Sequence, residues 1–83
     1  MIHKETTEKI IEASFEVMRE LGAGFLESVY EKALLIALME KGINVRSQVP
    51  LKVQFRNQVV GEFYADLLVD TSIIVELKAV KSL

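Results

Sequence analysis

A chain of 83 residues with a formal net charge of −2 and no cysteine makes at most one domain and has neither disulfides nor thiolate metal sites to add to a thin core. Its single histidine, His3, excludes a His-rich zinc site. The acidic balance argues against a strongly basic nucleic-acid coat, but leaves room for an enzyme that grips one phosphate through a metal.

The start, Met1-Ile2-His3-Lys4-Glu5, turns polar at once, so no secretory signal peptide is read there. The apolar runs further on are short and broken by charge, which rules out a membrane-spanning helix. The expectation is one cytoplasmic domain over residues 1–83. Its hydrophobic fraction of 51% is at the upper edge of the globular range, so part of the apolar surface is expected to serve a partner chain or a missing segment.

Residues 7–21 read as a first helix. Ile10, Ile11, Ser14, Phe15, Met18 and Leu21 recur at helical spacing among Glu8, Glu12, Glu16, Arg19 and Glu20, with Thr6 or Thr7 as the N-cap. Gly22 and Gly24 stop this helix. A second runs over 25–40 with Leu26, Tyr30, Ala33, Leu34, Ala37 and Leu38 as its stripe, and ends on Lys41-Gly42.

After Gly42 the period becomes two. Val49, Leu51, Val53 and Phe55 alternate with Gln48, Lys52, Gln54 and Arg56, as in a half-buried strand. Asn57-Gln58 is the expected hairpin turn, followed by strands over 59–69 and 73–80. The fold class is α+β: two N-terminal helices packed on a three-strand antiparallel sheet.

Most acidic residues fall on the helices, where a solvated face explains them. Asp66 and Glu76 instead interrupt the apolar runs Tyr64-Ala65-Asp66-Leu67-Leu68-Val69 and Ile73-Ile74-Val75-Glu76-Leu77-Lys78-Ala79-Val80. An odd turn such as Asp70-Thr71-Ser72 sets Asp66 directly across from Glu76 and gathers Ala65, Leu67, Val69, Ile73, Val75 and Leu77 on one apolar face. An even turn would slip the register and bury Asp66 unpaired, which is costly, so the odd turn is expected. Two carboxylates about 5 Å apart at their β-carbons can ligate one hard cation, and Lys78 shares their face. Taken alone, however, Asp…Glu-x-Lys describes a solvated strand face at least as well, with Asp66 paired to Lys78.

A second pattern stands at the start of the second helix, where Glu27 and Tyr30 are neighbours on one helix face. With Gly24-x-x-Glu27-x-x-Tyr30, Gln48-Val49-Pro50-Leu51, Ala65-Asp66-Leu67-Leu68-Val69 and Ile74-Val75-Glu76-Leu77-Lys78-Ala79, the chain resembles the prokaryotic GxxExxY proteins of the PD-(D/E)XK nuclease-like superfamily, in order from about residue 5 onward. The resemblance implies a restriction-endonuclease-like αβββαβ core, of which this chain would lack the last helix and strand. It also implies Asp66 and Glu76 as metal ligands for Mg²⁺ or Mn²⁺, and Lys78 and Glu27 as catalytic residues. Gln48 matches the pattern without a role. The implied activity is metal-dependent hydrolysis of nucleic-acid phosphodiesters. The alternative is a non-catalytic binding or assembly module on the same truncated fold, and homo-oligomers are expected to form through uncovered sheet or helix surface.

Overall fold

The computed structural model describes residues 4–77. Helices α1 (Lys4–Leu21) and α2 (Glu27–Glu40) precede strands β1 (Val45–Phe55), β2 (Gln58–Val69) and β3 (Ile73–Val75). The strands form one antiparallel sheet in the order β1-β2-β3. This is the expected α+β arrangement. No described helix is long and apolar enough to cross a membrane.

Helix α1 packs on α2, and α2 packs on β1 and β2. The buried residues of α1 are Ala13 and Val17; of the larger stripe expected from spacing, Ile10 packs against the same core, while its bulkier members do not. Small side chains let the two helix backbones approach, and turning that face inward carries Ile11, Phe15 and Met18 outward, where Phe15 is 69% exposed. Nor do Thr6 or Thr7 cap the helix, because α1 already starts at Lys4. Thr6 Oγ1 instead donates to Asp70 Oδ2 at 3.4 Å, across to the β2–β3 turn.

Gly22, with φ +75°, takes the left-handed conformation that ends α1, and its N–H donates to Met18 O at 2.9 Å. Helix α2 ends in a Schellman arrangement. Ile43 N–H donates to Leu38 O at 3.1 Å and Gly42 N–H to Met39 O at 3.0 Å, with Gly42 at φ +77°. Just past that end, Lys41 Nζ reaches Glu16 Oε2 of α1 at 2.8 Å and Glu12 Oε2 at 3.9 Å. The hydrogen bond to Glu16, helped by the charges of Glu16, Glu12 and Glu40, holds the ammonium above the usual lysine range. The core lies where Leu34, Ala37 and Leu38 of α2 meet Leu67 and Val69 of β2, closed by Ala13, Val17 and Ile43.

The β1–β2 hairpin turns one residue earlier than expected. Arg56 and Asn57 form the loop with φ +50° and +65°, and Gln58 already pairs with Phe55. Two positive φ values in a two-residue loop follow the right-handed twist of the flanking strands. Arg56 lies over the Phe55 ring at 4.8 Å. The register shifts once, between Val53 and Gln54. Only Val45, Val49 and Leu51 of β1 are partly covered, while Val53 and Phe55 are exposed, so the half-buried strand holds for its first part alone.

The turn into β3 is the odd one. Asp70, Thr71 and Ser72 separate the pair Val69–Ile73, followed by Leu68–Ile74 and Leu67–Val75. Ala65, Leu67 and Val69 are fully buried, and Ile73, Val75 and Leu77 pack against the same core. The expected apolar face is therefore present. Strand β3 ends at Val75, short of the expected run to residue 80. Leu77 N–H donates to the Asp66 side chain, and residues 78–80 lie outside the described part of the chain.

Candidate functional site

Asp66 is the half-buried carboxylate of a strand whose neighbouring residues, Ala65 and Leu67, point into the core. Its position follows from the alternation of β2: once Leu67 and Val69 are committed to α2, Asp66 takes the other parity. Continuing the β2–β3 ladder by one residue beyond Leu67–Val75 sets Glu76 opposite Asp66. Glu76 is exposed, just past the end of β3. Asp66 Oδ2 accepts Leu77 N–H at 2.7 Å, a short charge-assisted bond that fixes one oxygen of the carboxylate. The same bond ties the residue after Glu76 to the strand carrying Asp66.

The other oxygen meets a residue whose role the sequence left open. Gln48 Nε2 donates to Asp66 Oδ1 at 3.4 Å and to Glu31 Oε1 on α2 at 3.0 Å. Gln48 has φ +50° in the middle of an eleven-residue strand. A non-glycine residue in that region costs roughly 1–2 kcal/mol. Pairing skips Gln48 but resumes in the same register on both sides, Ser47 with Leu67 and Val49 with Ala65, so no residue is inserted. Glu31, which the sequence pattern did not single out, joins this cluster through Gln48. The available signal was its position four residues after Glu27, on the same helix face.

Glu27 opens α2 and is exposed, one turn before Glu31. The glycine-to-tyrosine segment around it has a clear structural part. Tyr30 Oη donates to Gly22 O at 2.6 Å and accepts Phe25 N–H at 3.2 Å, and its ring meets that of Phe25 edge-on at 6.2 Å. The tyrosine thus clamps the α1–α2 connection, and with it the first turn of α2 that carries Glu27. Lys78, the remaining predicted site residue, lies outside the described residues.

The family model of the PD-(D/E)XK nuclease superfamily matches residues 4–83, nearly the entire chain. The chain belongs to this superfamily. No curated protein and no solved structure matches it. In this PD-(D/E)XK chain, the β2–β3 register continued by one residue sets Asp66 opposite Glu76.

PD-(D/E)XK nucleases generally use divalent metals, so the fit of such an ion can be judged from the donors present. Among the described residues, no three His, Asp or Glu side chains converge as a ready-made cage. Two carboxylates at register-opposed positions suit Mg²⁺ or Mn²⁺ nevertheless. Mg²⁺ dehydrates reluctantly and is commonly held by one or two carboxylates, the remaining positions being water and substrate phosphate. The oxygen donors fit a hard cation and give no preference for a thiolate-seeking one.

Proposed function

We propose that this chain is a Mg²⁺- or Mn²⁺-dependent nuclease of the GxxExxY group that hydrolyses phosphodiester bonds of nucleic acid in the cytoplasm. The observation that supports this reading is the Asp66 carboxylate, which accepts Leu77 N–H at 2.7 Å next to the odd β2–β3 turn, in a PD-(D/E)XK chain. In this reading Asp66 and Glu76 hold the ion, and the Leu77 carbonyl is a further oxygen donor. A bound divalent ion polarises a phosphoryl oxygen and lowers the pKa of a water.

The chain's own residues do the rest. Lys78, two residues after Glu76, orients the attacking water and offsets the charge that develops on the phosphate. Glu27 receives a hydrogen bond from water at the site and helps to fix its direction. Tyr30 keeps Glu27 in place by holding the connection before α2.

A second reading, a non-catalytic assembly module, is favoured by one observation. Ile11, Phe15 and Met18 lie along one face of α1 and are 51%, 69% and 49% exposed, an apolar row suited to a second copy of the chain.

The two readings separate in a hydrolysis assay on single- and double-stranded DNA and RNA, with Mn²⁺ and with chelator. The nuclease reading expects cleavage of at least one polymer in Mn²⁺ and none after chelation. A folded chain that cleaves none of the four, and sediments as an oligomer, supports the assembly reading instead.

A further inference from the structure

Gln48 combines three features that packing does not explain. It is exposed, so its side chain fills no core space. Its backbone is left-handed at φ +50°, a region that favours Gly, Asn and Asp over Gln. Its amide nitrogen lies between two carboxylates of different elements, Glu31 at 3.0 Å and Asp66 at 3.4 Å.

The left-handed turn is also not a register correction, because β1 and β2 pair identically before and after it. Strict alternation would give Gln48 the parity of Asp66, away from the face that carries Leu67 and Ala65. The bond to Glu31 shows that the amide nevertheless reaches α2. The backbone distortion and the bridge are therefore one feature: an edge strand bent at a single residue so that one amide spans helix and sheet.

We propose that Gln48 is a positioning residue for the Asp66 carboxylate, tying it to Glu31 of α2 so that both carboxylates keep their direction when a divalent ion binds. The role rests on the reading of Asp66 as a metal ligand. Leu77 N–H fixes Oδ2 and the Gln48 amide restrains Oδ1, which leaves each oxygen a lone pair for the ion. An outer partner of this kind orients a ligand without touching the metal, and losing one typically weakens metal affinity about 10- to 100-fold.

The test is calorimetric titration of Mn²⁺ into the wild-type chain, Gln48→Gly and Gln48→Asn, with urea denaturation of each. Glycine relieves the left-handed backbone and deletes the amide. Asparagine tolerates that backbone but is one methylene too short to span both carboxylates. Both variants are expected to keep or raise the denaturation midpoint while binding Mn²⁺ roughly tenfold or more weakly. Wild-type affinity in either variant overturns the positioning role and leaves the metal site standing. A fall in midpoint that accompanies the loss of affinity assigns Gln48 to folding and overturns it as well. A folded wild type that binds no Mn²⁺ overturns the site reading together with the role built on it.

Discussion

Asp66→Asn is expected to abolish Mn²⁺ binding and to lower any phosphodiester hydrolysis by at least about 10³-fold, with the fold intact. A metal ligand supports several kcal/mol of transition-state stabilisation, and each ~1.4 kcal/mol is tenfold in rate. The fold survives because the asparagine carbonyl oxygen still accepts the Leu77 N–H that Asp66 Oδ2 now takes. Asp66→Ala differs: it leaves that N–H without its partner in a partly buried place, which costs about 1–3 kcal/mol. Metal titration beside urea denaturation of both variants separates the two effects. An asparagine variant that unfolds would make Asp66 a structural residue. One that binds Mn²⁺ like the wild type would remove it from the site.

The largest stability effect is expected at Leu38, which is fully buried and meets Leu67 and Val69 at the centre of the core. Leu38→Ala removes buried methyl groups and leaves a cavity, a loss of about 2–5 kcal/mol. At about 0.05–0.15 kcal/mol per residue, the whole domain has only about 4–12 kcal/mol to lose. Denaturation should show a large fall in midpoint at an unchanged slope. Phe15→Ala deletes a bigger side chain, yet Phe15 is 69% exposed and its loss should stay within about 0.5 kcal/mol. Equal losses in the two variants would contradict the packing of α1 through Ala13 and Val17.

That contrast shows where the sequence could be read and where it could not. Period and glycine placement sufficed for the element order, because Gly22 and Gly42 stop helices by backbone conformation alone. The face of α1 was legible only in part: Ile10 packs against the core, but helix–helix contact rewards small residues that spacing cannot rank above Phe15. The odd turn into β3 was readable, since only one parity keeps Asp66 out of the core. The position of Gln48 was not. A turn at Asn57-Gln58 would have set Gln48 opposite Leu67. The loop at Arg56-Asn57 and the shift between Val53 and Gln54 bring it level with Asp66 instead. Neither a one-residue turn displacement nor a left-handed glutamine leaves a mark in the hydrophobic pattern. Glu31 was hidden for the same reason: it joins the site only through that glutamine.

The most direct test of the account is calorimetric titration of Mn²⁺ into the wild-type chain and into Glu76→Ala, with circular dichroism confirming that both are folded. Saturable binding by the wild type and none by the variant is the expected result if Asp66 and Glu76 hold the ion as proposed. A folded wild type that takes up no Mn²⁺, or a Glu76→Ala chain that binds it with wild-type affinity, would contradict it.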